Sequence, residues 1–206
     1  IERAGVEYAG FNGQMTATVR DSKALVVCNT KDAKTGKSFQ FYDRKKTLFN
    51  GSDNVANGKF AFSFAVPMDL NYTGGQGLMN IYAINNEKTE IANGSTELFT
   101  LGGTEKVGND SIGPSIYCYL NSPSFTNGGN VNQTPYFVAQ ITDKDGINTT
   151  GNGIGHDLEL VIDGEMSLTF NLNDNFKYDF GSYTSGKTYF SLPELSEGQH
   201  KLKFRA

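Results

Sequence analysis

Cysteine and histidine are the side chains best suited to nucleophilic and acid–base work near neutral pH, and this sequence has two of each: Cys28, Cys118, His156 and His200. A thiol peptidase needs a thiolate, a histidine within hydrogen-bond reach and an oxyanion hole. Cys28 lies in ALVVCNT and Cys118 in SIYCYL, both apolar strand patterns in different halves of the chain. Such sites predict buried, inert thiols and no disulfide between them. His200, in EGQHKLKF, reads as a surface residue where the last strand begins. His156, in NGIGHDLEL, follows a glycine-rich loop, where hydrogen bonding within the loop or at a strand edge accounts for it. With Cys118 as its only sulfur partner in the same half, His156 forms no convincing dyad, and no catalytic residue is assigned.

Two further groups could bind something. In TDKDGIN, Asp143, Asp145 and Asn148 offer oxygens to a hard cation beside a glycine that turns the chain. A third early ligand and a bidentate glutamate are missing, so a plain β-turn is the preferred reading and these three remain the metal-ligand candidates. In NDNFKYDFGSY, Phe176, Tyr178 and Phe180 alternate with Lys177 and Asp179, which places three rings on one strand face, with Tyr183 just beyond. That face either fills a sandwich core or forms a sugar-binding platform. Platforms lean on tryptophan, which this chain lacks, and core packing is the expectation. Exposure of the rings separates the two. Neither zinc spacing nor the strand-to-helix setting of a phosphate loop occurs, and no cofactor is expected.

The elements that would hold these residues are strands. Period-two alternation between turn residues predicts strands at 14–20, 24–29, 38–42, 46–50, 59–66, 78–84 and 95–101, then at 115–121, 135–142, 157–162, 167–172, 176–180, 187–192 and 199–205. KFAFSFAV is the clearest, with Phe60, Phe62 and Phe64 on one face. Asn57-Gly58 and Asp163-Gly164 are hairpin dipeptides. The polar, glycine-rich stretch around LGGTEKVGNDSIGP divides the chain into a domain at 1–104, a linker at 105–112 and a second domain at 113–206. The expected fold is all-β, two consecutive immunoglobulin-like β-sandwich domains.

Composition agrees: Gly 24, Phe 15 and Tyr 10 in 206 residues, with 19% charged, describe short aromatic strands cut by turns. A formal net charge of -4 with scattered lysine and arginine leaves no footprint for nucleic acid. Arg44-Lys45-Lys46 reads as a solvated turn. No apolar run reaches the roughly 20 residues that span a bilayer. Beginning at Ile1 and ending at Ala206 within a strand pattern, the chain is expected to be part of a longer polypeptide.

The segments LNSPSFTNGG, DKDGINTTGNGIGHD, VIDG, YTSG and LSEGQHKL, together with FNGQMTATVRD and LFNGSDNVANGKFAFSFAVP upstream, resemble the region that follows the catalytic domain in PorU-type sortases of the type IX secretion system, which are gingipain-like cysteine peptidases. The resemblance covers nearly the whole chain. It implies exported proteins at the cell surface and outer membrane of a Gram-negative bacterium, which cleave the C-terminal signal domain from secreted cargo and join the cargo to lipopolysaccharide. The family's catalytic Cys and His belong to the upstream domain, and none of the four cysteines and histidines here matches that motif. The implied role is a non-catalytic scaffold or docking surface. Its implied partners are the upstream catalytic domain of the same polypeptide and secretion-system outer-membrane proteins or cargo. A carbohydrate-binding or adhesin module built on residues 176–183 is the alternative.

Overall fold

A computed structural model describes residues 1–28, 38–67, 70, 74–102, 112–150 and 157–206. Among these the regular structure is strand, apart from two single 3₁₀ turns. The first half holds β1 (Glu2–Arg3), β2 (Val6–Glu7), β3 (Gly13–Arg20), β4 (Ala24–Cys28), β5 (Phe39–Asp43), β6 (Thr47–Val55), β7 (Leu78–Asn85) and β8 (Ile91–Thr96). The second holds β9 (Ser115–Leu120), β10 (Tyr136–Thr142), β11 (Glu159–Ile162), β12 (Thr169–Asn171), β13 (Lys177–Tyr178), β14 (Ser185–Ser191) and β15 (Leu202–Arg205). Residues 105–111 of the predicted linker, and His156, lie outside the described residues.

In the first half an antiparallel sheet runs β6-β3-β7-β8, with the ribbons β1-β2 and β4-β5 beside it. Strand β3 shows why: Met15, Ala17 and Val19 are buried while Gln14 and Thr16 face water, the period-two pattern of a half-buried strand. Asn57-Gly58 forms the expected tight turn, both residues at positive φ, with Ala56 and Lys59 exchanging backbone hydrogen bonds at 2.9 and 3.0 Å.

In the second half two sheets, β13-β14-β10-β9 and β12-β11-β15, face each other as a sandwich. Phe137 of β10 meets Phe204 of β15 at 5.4 Å between centroids, and Phe190 of β14 meets Phe170 of β12 at 4.6 Å. Asp163 and Gly164 both take positive φ after β11, as the dipeptide predicts. Pairing with β12 resumes only at Thr169, because a 3₁₀ turn at Met166–Leu168 intervenes.

KFAFSFAV departs from expectation. Beyond the Ala56–Lys59 bridge it joins no ladder. It runs extended, and Phe60, Phe62 and Phe64 pack onto the core while Ala61 and Ser63 remain exposed. The alternation therefore marked a buried face without marking a hydrogen-bonded strand. Those rings lie where the halves meet, and the buried side chains of both halves form one continuous cluster that includes Phe11, Met15 and Phe49 from the first and Ile141, Leu160 and Phe176 from the second.

Candidate functional site

Phe49 of β6 is the centre of that junction. Its ring stacks on Phe62 at 5.3 Å, on Phe64 at 5.3 Å and on Tyr178 of β13 at 5.0 Å. A Cβ on Gly51 would lie 2.3 Å from the Phe49 ring, so a glycine is what lets the ring fold back along its own strand. Tyr178 in turn meets Phe176 edge-on at 5.0 Å and donates its hydroxyl to the Ile147 carbonyl at 2.6 Å. Burial pushes the Tyr178 phenol up to about 12.

This settles the aromatic segment. Phe176 and Tyr178 are 3% and 6% exposed, whereas Phe180 and Tyr183 are exposed. The expected single face of three rings does not form: β13 stops at Tyr178, and Asp179, Phe180 and Gly181 turn the chain, with Gly181 at positive φ. The Gly181 amide then donates to the Ser52 carbonyl at 2.9 Å, which ties this turn to β6. Two of the rings belong to the core and the segment presents no platform.

Asp143, Asp145 and Asn148 lie together in one loop whose oxygens serve the loop itself. Asp143 Oδ1 accepts the Asp145 amide at 2.9 Å, its carbonyl accepts the Gly146 amide at 3.2 Å, and Asp145 pairs with Lys144. Asn148 Oδ1 accepts the Thr150 amide at 3.0 Å and its hydroxyl at 2.7 Å. These are the short-range bonds of Asx-type turns. The loop also docks on the first half: Gly146, at φ 104°, sits so close to Ala65 that a Cβ would come within 2.6 Å of it, and Thr149 Oγ1 donates to the Thr47 carbonyl at 3.4 Å.

The cysteines correct the sequence reading. Both Cys28 and Cys118 are exposed rather than buried, and both are free. Cys118 lies on β9, the edge strand, opposite Ala139 of β10, on the inner face. Its thiol is still partly withdrawn from water, and this desolvation pushes it up to about 11, the reverse of activation. His200 is committed elsewhere, with Nδ1 2.7 Å from Asp163 Oδ2 and Nε2 2.9 Å from the Ser196 carbonyl.

Arg44-Lys45-Lys46 is likewise not a solvated turn. The Arg44 and Lys46 side chains are each only 10% exposed. Arg44 pairs with Glu97 at 2.8 Å, and Lys46 faces the fully buried Asp21 at 3.9 Å. Tertiary neighbours far along the chain gather these charges, which is why local composition misjudged them. Arg44 also lines a cleft of about 530 Å³ between the halves, together with Arg20, Lys45, Asp43, Asp174 and Tyr178. Its cations and carboxylates interleave, and no nucleophile with a base beside it is found there among the described residues.

The class defined by these observations is an all-β, sandwich-type protein whose chemistry-bearing side chains are engaged in turns, ion pairs and the junction of its halves. No helix among the described residues is long and apolar enough to cross a membrane. Against known proteins, no family model matches the chain, and no curated protein does. Among solved structures the chain is similar to dimeric latent PorU from Porphyromonas gingivalis, at 33% identity over 97% of this chain and 19% of that one, with a TM-score of 0.49. This chain thus spans about a fifth of the length of that protein.

Proposed function

We propose that this chain is the non-catalytic scaffold and docking region of a type IX secretion sortase-like cysteine peptidase at the Gram-negative cell surface. The sequence segments that resemble such sortases support this reading, and so does one structural observation in particular. The loop DKDGINTT, within one of those segments, contacts the first half through Gly146 against Ala65 and Thr149 on Thr47. A motif whose oxygens close its own turns and whose glycine seats a neighbouring segment is built for architecture. On this reading catalysis belongs to an upstream domain, and the paired halves position it relative to cargo or to outer-membrane partners.

The test is deletion of residues 113–206 from the parent polypeptide. Cargo maturation should fall while the active-site thiol keeps its reactivity toward a small covalent probe. Normal maturation by the truncated parent would refute a docking role and leave these domains as spacers.

A further inference from the structure

We infer that residues 60–66 are an open strand edge that takes up an extended, basic peptide segment of another protein as an added β-strand. Phe60, Phe62 and Phe64 hold this stretch on the core, yet none of the amides and carbonyls of residues 60–66 is hydrogen-bonded to a described residue. Pairing stops at the Ala56–Lys59 bridge. Seven consecutive residues of unpaired donors and acceptors at strand spacing complement one kind of ligand, a second extended polypeptide. Neither a sugar nor a nucleic acid presents alternating N–H and C=O groups at that repeat.

The edge is also unguarded. Soluble proteins protect free edges with lysine, other charges, proline or a bulge. Residues 60–66 contain no charged residue and no proline, and Pro67 comes only after them. Ala61 and Ser63, which point away from the core, are small and exposed, so no side chain blocks an approaching strand.

Beside the middle of this segment lies a groove of about 320 Å³, lined by Phe62 and Ser63 together with Phe49, Ser52 and Asp53 of β6 and Tyr183. The Ser52 carbonyl already accepts the Gly181 amide at 2.9 Å, which leaves the backbone of residues 60–66 as the open partner. Charge then selects the occupant. Asp53 accepts the Asn54 amide at 2.7 Å through Oδ1, and no lysine, arginine or histidine lines the groove to balance its charge. A strand carrying lysine or arginine opposite Asp53 supplies that charge. A second copy of this chain does not. Pairing the segment with itself brings two Asp53 carboxylates to one seam, and the one cation between residues 47 and 67, Lys59, is paired with Glu7 at 3.1 Å. The site is independent of the sortase reading, because it uses only this chain's main chain and one carboxylate.

Two acetylated and amidated heptapeptides that alternate threonine with valine, one with lysine at its centre and one with glutamate, would be titrated into the full 206-residue chain and followed by amide resonances. The lysine peptide should shift residues 60–64 and 181–183 and bind at least about tenfold more tightly than the glutamate peptide. Asp53→Asn keeps an acceptor for the Asn54 amide and should reduce that preference to less than about threefold. Methylating the lysine peptide's amide nitrogens at alternate residues blocks one strand edge, so at least one of the two methylation patterns should abolish binding. The proposal is overturned by an absence of shifts at millimolar peptide, by shifts mapping elsewhere, by equal affinity for the two peptides, by a preference that Asp53→Asn leaves intact, or by both methylated peptides binding as the unmodified one does. A dimer in sedimentation that Ser63→Pro dissolves would overturn it too, because a second copy would then occupy the edge.

Discussion

His200 Nδ1 lies 2.7 Å from Asp163 Oδ2 while its other ring nitrogen lies 2.9 Å from the Ser196 carbonyl, so both nitrogens face acceptors. A neutral imidazole has one N–H and satisfies one of them; only the imidazolium satisfies both. The ring thereby ties the turn after β11 to the segment that leads into β15.

The pH dependence of this contact follows from its two shifts. The hydrogen bond His200 donates to Asp163, then the one to the Ser196 carbonyl, raise His200 above its ordinary 6.5. Folding is favoured fully below that value, and the contribution is lost as pH rises through the higher folded-state value. Asp163 is lowered from its ordinary 3.8 by the His200 hydrogen bond and then the Lys201 amide, so its contribution is lost only as pH falls through that depressed value. We predict that His200→Gln lowers the melting temperature at pH 5.5 and that the gap from the parent narrows steadily above pH 6.5. A gap independent of pH would disprove the ionised pair.

Phe49 should be the costliest aromatic residue to truncate. It is 3% exposed and stacks on three rings, one of them across the junction. Phe49→Ala is expected to lose about 3–5 kcal/mol in urea unfolding. Gly51→Ala should destabilise as well, by driving the same ring from its seat.

For the Asp143–Asn148 loop the expected result is indifference to chelation. Its carboxylate and amide oxygens close Asx-type turns, so stripping divalent cations should leave the melting temperature unchanged. A cation held at 100 times its dissociation constant would contribute about 2.7 kcal/mol, a loss visible as several degrees.

Cys118 should behave as a sluggish thiol despite its exposure. At about 11, its thiolate fraction near pH 8 is on the order of one in a thousand. In a Cys28→Ser background, alkylation by iodoacetamide should speed up about tenfold per pH unit between pH 7 and 10. A rate already at its plateau by pH 8 would mean an activated thiolate and reopen a catalytic reading.

Much of this architecture is legible in the chain. Alternation located β3, β7, β10 and β14 to within a few residues, because a half-buried strand must present a dry and a wet face. Asn57-Gly58 and Asp163-Gly164 adopted the positive φ that these residues tolerate. Alternation says which face is dry and is silent on the backbone's partner, so Phe60, Phe62 and Phe64 were placed on the right face of an element that is not a ladder strand. The misreading of Phe180 had a usable signal, since Gly181 directly after it marks the turn that breaks the stripe. The burial of Arg44 and Lys46 and the exposure of Cys118 had none. They depend on Glu97, on Asp21 and on what packs over the inner face of an edge strand, which are tertiary facts.

Stacking of Tyr178 on Phe49 also gives the junction an optical signature. Tyr178 is the one buried tyrosine among the described residues, and it is held in a fixed asymmetric environment of phenylalanine rings in a chain with no tryptophan. Immobilised aromatic rings give near-ultraviolet circular dichroism, and freely turning surface rings give little. The Tyr178 share of the tyrosine band in that region, isolated by comparison with Tyr178→Phe, therefore follows whether the two halves are seated on each other, while the far-ultraviolet band follows the strands themselves.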